Sequence, residues 1–247
     1  DIESNSWETL RDLPIAVNHP AVAASAGRLY VHGGFQGDGL SGETARLYEY
    51  DPATDEWTRL ADSPTARAAH ALEAIEGELY SAGGVSGSDD ELDSMEVYDV
   101  AAAMWRAGPP LPTGRNHVAS AVADDLLYVL GGRRASENLD VVERFDPRSR
   151  QWETLPSLGT PRSGFAAAAV GDRVIAFGGE QLAEGEQTIG SVELFDPSDE
   201  GWASLPDMNV PRHGLGGAAQ ERRVFALEGG PSPGFSFSDA VEFIDVF

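Results

Sequence analysis

Apolar residues along this chain come in short runs of four to six positions, broken by glycine, aspartate and proline. No segment carries a sustained helical period with end caps. One stretch shows the pattern: His70-Ala71-Leu72-Glu73-Ala74-Ile75, then Glu78-Leu79-Tyr80-Ser81-Ala82, then Met95-Glu96-Val97-Tyr98, then Met104-Trp105-Arg106. Runs of this length with Gly or Asp at the junctions predict four short antiparallel strands, and the chain reads as all-β.

The pattern returns in five copies. Trp7, Trp57, Trp105, Trp152 and Trp202 are separated by 50, 48, 47 and 50 residues. Gly-Gly pairs at Gly33-Gly34, Gly83-Gly84, Gly131-Gly132, Gly178-Gly179 and Gly229-Gly230 follow with spacings of 50, 48, 47 and 51. A period of this size signals a solenoid or a propeller. Asp stands six positions before each interior Trp (Asp51, Asp99, Asp146, Asp196), and Asp245 holds the equivalent place in the last copy. Four strands per unit predict a single domain over residues 1–247, a five-bladed β-propeller of four-stranded antiparallel blades. The chain opens on a Trp strand, Ser6-Trp7-Glu8-Thr9-Leu10, and closes on a third-strand pattern, Ala240-Val241-Glu242-Phe243-Ile244-Asp245. The N-terminal strand is therefore expected to complete the last blade, closing the ring and protecting its edges.

Positions that repeat in every blade belong to the scaffold. The Trp, Tyr and Gly-Gly positions fall in this class, as do Glu96, Glu143, Glu193 and Glu242, which read as strand-level polar contacts. Counting back thirteen residues from Tyr80, Tyr128, Ile175 and Phe225 gives Arg67, Arg115, Arg162 and Arg212, whereas Tyr30 leads to Val17. Arranged about one axis, four guanidiniums would surround the channel mouth, where their planar forks suit a carboxylate. The same arginines could instead tie one blade to the next. Segments after Gly-Gly reach the same face and vary, with Phe35-Gln36-Gly37-Asp38, Arg133-Arg134 and Pro231-Ser232-Pro233-Gly234-Phe235. Phe35 and Phe235 could stack on a ligand there, and Arg133 and Arg134 extend the positive patch.

The combination Arg67-Ala68-Ala69-His70, Glu78-Leu79-Tyr80-Ser81-Ala82-Gly83-Gly84, Met95-Glu96-Val97-Tyr98-Asp99 and Trp105 resembles the kelch repeat, over essentially the whole chain. Kelch propellers more often form rings of six or seven blades, so a ring of five departs from the family pattern. In kelch domains that recognise acidic peptides, Arg before the first strand and small polar residues beside it contribute to the pocket. By that resemblance the matching positions are the four arginines, followed by Asn18, Asn116, Ser163 and His213, with His19 at the same mouth.

Charge and composition narrow the chemistry. Seventeen basic residues against 41 acidic ones leave a formal charge of −24 and a pI near 4.3, which excludes nucleic acid as the expected partner. Every basic residue is Arg, so Schiff-base and P-loop lysines are absent. With no Cys, disulfides, thiolate nucleophiles and Cys-ligated metals are excluded, together with the Tyr–Cys crosslink of kelch-like copper oxidases. The five histidines show no local metal-ligand spacing, and no metal or cofactor is expected. Glycosidase propellers place carboxylates around their axis, but among the first-strand runs only Glu73 supplies one. No apolar run approaches the ~18 residues of a membrane span, and a start at Asp1 without a signal pattern suits a processed chain or a cut-out domain. Carboxylate excess with Arg in place of Lys is the composition of a surface adapted to high salt; GC-rich coding bias produces it too.

The expected protein is a monomeric, non-enzymatic interaction module that binds an acidic peptide or a small anionic ligand at an Arg-ringed channel mouth. A carbohydrate-active propeller, either lectin or sugar mutarotase, is the alternative, along with a scaffold that has no selected ligand.

Overall fold

A computed structural model describes all residues except 1, 3, 5, 38, 88, 89, 183, 184 and 200, so Asp38 of the first loop lies outside the described residues. Five antiparallel meanders form the blades of a five-bladed β-propeller. Blade 1 runs through Ala21–Ser25, Arg28–His32, Leu47–Asp51 and Glu56–Arg59. Blade 2 runs through Ala71–Ile75, Glu78–Ala82, Met95–Asp99 and Met104–Ala107. Blade 3 comprises Ala119–Ala123, Leu126–Leu130, Val142–Asp146 and Gln151–Leu155. Blade 4 comprises Ala166–Val170, Arg173–Phe177, Val192–Asp196 and Gly201–Leu205. Blade 5 has three strands, Gly216–Gln220, Arg223–Leu227 and Val241–Asp245.

Period-two alternation sends each blade's two faces to different neighbours, and the core is the set of wedges between them. Between blades 2 and 3, for example, Tyr80, Ala82, Met95 and Val97 meet Leu127, Val129 and Phe145. The outer-strand tryptophans close the wedges at the rim. Trp105, Trp152 and Trp202 lie 5.1, 5.1 and 5.4 Å from Tyr98, Phe145 and Phe195. Their indole N–H groups donate to the carbonyls of Ala61, Pro109 and Pro156 in the preceding blade's exit segment.

A short strand-like bridge joins each first-strand entry to the residue after Gly-Gly: Asn18 to Phe35, Ala68 to Val85, Asn116 to Arg133, Ser163 to Glu180 and His213 to Gly230. All these segments share one face of the propeller, because first strands begin and second strands end there. The first glycine of the pair lets the next blade come close: a Cβ on Gly131 would stand 2.8 Å from the Arg162 carbonyl. The second donates its N–H to that carbonyl, in Gly34→Arg67, Gly84→Arg115, Gly132→Arg162 and Gly179→Arg212, at 2.8 to 2.9 Å.

Two expectations change here. In blade 5 the true counterparts of the Gly-Gly pair are Glu228 (φ 56°) and Gly229 (φ 91°), with Gly230 at the bridging position, one residue out of step with the pattern in the sequence. Among the described residues no further blade packs on Glu228, so a side chain is tolerated where the other blades require glycine. The N-terminal strand also fails to complete blade 5. Residues 6–10 form no strand, and Trp7 is 80% exposed. Arg11 instead accepts the Trp57 indole N–H and donates its backbone N–H to Asp55, which fastens this segment to blade 1. Among the described residues, no packing comparable to that between successive inner strands joins Gly216–Gln220 to Ala21–Ser25. The seam therefore stays open, and both repeat exceptions, Val17 and Glu228, sit on it.

Candidate functional site

The four repeated arginines do not line the mouth. Arg67, Arg115, Arg162 and Arg212 are fully buried, each against a carboxylate of its own blade. Arg115 is the most completely engaged. Its Nε donates to Gly131 O at 2.7 Å, its Nη2 to Val129 O at 2.9 Å, and its Nη1 to Thr113 O at 2.7 Å and Glu143 Oε2 at 2.5 Å. Arg162 similarly reaches Gly178 O, Ser191 and Glu193. Arg212 holds Glu242 at 2.5 Å, and Arg67 stands 3.2 Å from Glu96. Burial pulls the pKa values of Arg67, Arg115 and Arg162 down, and the facing glutamates oppose it. These guanidiniums anchor the entry of the first strand to the second and third strands, while the backbone carbonyl of the same residue serves the neighbouring blade. The reading of an Arg-ringed ligand site gives way to one of internal struts.

What the mouth does present is a polar cluster on the residues after those struts. His19, Ala69, His117, Gly164 and Gly214 all adopt positive φ, between 51° and 60°. Their backbones pass hydrogen bonds from blade to blade: Ala69 N to His19 O, His117 N to Ala69 O, Gly164 N to His117 O and Gly214 N to Gly164 O, at 2.7 to 3.0 Å. This belt brings the His19 and His117 rings edge to face at 4.9 Å, although they belong to blades 1 and 3.

Hydrogen bonds fix the protonation of His117. Asn116 Oδ1 lies 2.6 Å from His117 Nδ1, and Arg133 Nη2 donates to His117 Nε2 at 3.1 Å, so His117 is neutral with its proton on Nδ1. Burial, then the charge of Arg133, pushes the His19 pKa down to about 4 and His117 well below its ordinary value. Glu180 stands between Arg133, at 3.4 Å, and His213 Nδ1, at 3.3 Å.

Of the remaining expected residues, Asn18 is half-buried and donates to the carbonyls of Gly37 and Gly39. Phe35 is buried and holds the edge of His19 at 5.8 Å, so it supports the mouth and cannot stack on a ligand. Ser163 is buried as well, accepting from Asn138 Nδ2. Arg134 is exposed on the hairpin of Arg133–Arg134 with Glu137–Asn138, and Phe235 is 86% exposed. Sequence reasoning missed Glu180, although it directly follows a Gly-Gly pair, in the same repeat position as Phe35 and Arg133. A cavity of about 400 Å³ opens among Asn18, His19, His70, His117, Gly164 and Gly214.

A second histidine pair lies inside the wedge between blades 1 and 2. His32 Nδ1 is 3.0 Å from His70 Nε2, and His32 Nε2 is 2.9 Å from Ser63 Oγ. Burial, with Arg67 nearby, holds His32 at a pKa of about 3. Among the described residues, no group of three or more His, Cys, Asp or Glu side chains could hold a metal ion. No helix is long and apolar enough to cross a membrane.

Comparison with known proteins places this geometry. The model of the KLHDC2/KLHL20/DRC7 Kelch-repeats domain matches residues 1–179, and a Kelch motif model matches residues 161–209. The Kelch-like protein terF of Aspergillus terreus (strain NIH 2624 / FGSC A1156) is 27% identical over 137 residues. That match spans 51% of this chain and 30% of the relative. The solved structure of YjhT superposes with a TM-score of 0.86 at 18% identity, covering 98% of this chain and 85% of that one, a likeness of fold.

Proposed function

The chain belongs to the kelch-repeat family, and we propose that it is a non-enzymatic protein-interaction module whose polar mouth receives an acidic peptide segment of a partner. Kelch propellers are in general protein-interaction modules; the acidic ligand and its seat are the proposal. The observation that carries it is Glu180, a carboxylate held between Arg133 and His213 at the mouth. An incoming Asp or Glu side chain would displace Glu180 or share its two partners, with Arg134 exposed beside them. His19 and Asn18 border the cavity in which the peptide backbone would lie. The ligand charge would thus be read by one hairpin and its neighbour, within a surface that is otherwise strongly acidic and turns away other anions.

Binding of a fluorescent Glu-rich peptide, with its Gln counterpart as control, tests the proposal. Arg133→Ala with Arg134→Ala should weaken capture roughly tenfold or more, the value of one or two charge-assisted hydrogen bonds. Glu180→Gln should tighten it by releasing Arg133. Equal binding of the Glu and Gln peptides, or tighter binding by the arginine-deleted chain, refutes the assignment.

A further inference from the structure

The channel along the propeller axis holds a site separate from the mouth. Its cavity, of about 570 Å³, is walled by the inner strands of all five blades, and the walls are almost entirely alanine, valine and leucine. The third position of the inner strand is Ala23, Ala121, Ala168 and Ala218 in blades 1, 3, 4 and 5 but Glu73 in blade 2. The second position is Val22, Leu72, Ala167 and Gly217 in blades 1, 2, 4 and 5 but Ser120 in blade 3. The repeat is thus broken toward polarity at two places, and these two side chains touch: Ser120 Oγ donates to Glu73 Oε1 at 2.8 Å.

The hydrogen bond ties the inner strands of blades 2 and 3, but the other blade pairs are joined without such a polar pair. Alanine fills the third position elsewhere and packs well, being only 4 to 6% exposed in blades 1, 3 and 4. A carboxylate introduced there, half-buried, loses part of its hydration and gains one hydroxyl in return. No arginine lines the cavity, and the other titratable residue there is His70. His70 is held neutral by burial, next to His32 and Arg67, and offers no counter-charge.

We propose that Glu73 and Ser120 form a binding site for a small organic ammonium ion, whose N–H groups the carboxylate and hydroxyl accept while its alkyl group lies against the alanine walls. The carboxyl then obtains the cation that the fold withholds, and the apolar body of the ligand covers surface that water contacts poorly. Consistent with the missing counter-charge, burial raises the Glu73 pKa to about 7 despite the bond from Ser120. Proton and ammonium would therefore compete for one carboxylate near neutral pH.

The test uses n-butylammonium chloride with the full chain, read by saturation-transfer NMR and by the ¹³C shift of the Glu73 carboxyl. Binding should strengthen about tenfold between about pH 6 and pH 8 as Glu73 loses its proton. Butylammonium should also lower the Glu73 titration midpoint. Glu73→Gln, a substitution of equal shape at a site that shelters the neutral form, should stay folded and weaken binding roughly tenfold or more. Ser120→Ala should weaken it less. Absence of transfer to butylammonium, binding unchanged in Glu73→Gln, or displacement by equimolar sodium each overturns the proposal. Sodium displacement would show a bare charge site with no place for the alkyl group.

Discussion

Truncating Arg115 to alanine removes a guanidinium that is bonded to the carbonyls of Gly131, Val129 and Thr113 and to Glu143. Glu143, 1% exposed, would keep Thr113 Oγ1 at 2.8 Å as its side-chain donor and would otherwise face three stranded carbonyls. Deleting one member of a buried ion pair costs about 3–5 kcal/mol, mostly through the charge left behind. A chain of this size shifts its midpoint by roughly 2–4 °C per kcal/mol, so the melt should fall by roughly 6–20 °C. Circular dichroism melts and urea titrations at neutral pH measure this directly. Arg115→Met with Glu143→Leu should recover much of the loss, because it removes both charges together. Arg133→Ala, at the mouth, should move the melt far less. If Arg115→Ala melts within about 2 °C of the parent, the strut assignment fails and the arginine returns to the ligand-binding candidates.

Three further outcomes are expected. Lowering the pH from 7 to 5 should destabilise the fold, because His19, His70 and His117 add to the loss at His32 and together they outweigh the opposite change at Glu73. His32 has a folded pKa of about 3, so its contribution is complete above the ordinary value of 6.5 and is lost as the pH falls below it. At pH 5 that one residue accounts for about 2 kcal/mol, and urea midpoints across this range should show the decline. Glu73 has the opposite sign, since a carboxyl raised to about 7 stabilises below its unfolded value and loses that contribution as the pH rises through 7. Glu73→Gln should therefore raise stability at pH 8 by up to about 3 kcal/mol, and should steepen the decline between pH 7 and 5. The glycine register gives a contrasting pair: Gly131→Ala should cost more than about 2 kcal/mol, because the new Cβ meets the Arg162 carbonyl and φ is positive, whereas Glu228→Gly should stabilise by about 1 kcal/mol. Equal effects at the two positions would contradict the assignment of Glu228 to the first-glycine place.

The architecture was legible because it repeats. Trp105, Trp152 and Trp202 are needed at the rims of their wedges and the Gly-Gly pairs of the first four copies at their blade contacts, so a period in sequence became a rotation in space. The mouth was legible in part: Asn18, His19, Asn116, Arg133 and His213 do converge, since the bridge between strand entry and the residue after Gly-Gly recurs in every copy. Phe35 was misread, and the arginines were left open between ligand and strut, for the same reason. Periodicity marks a shared environment but carries no sign of whether that environment is solvent or core.

Sequence alone determined the blade count, the strand order and the segments that share a face, all of which follow from local alternation and the spacing of turns. Only the tertiary structure decided the direction of four guanidiniums, which turn inward because glutamates on their own third strands and nearby carbonyls replace the water they would lose. It also decided that the seam stays open. Trp7 is exposed and Glu228 stands where the other copies carry glycine, and a repeat pattern that treats every copy alike could show neither.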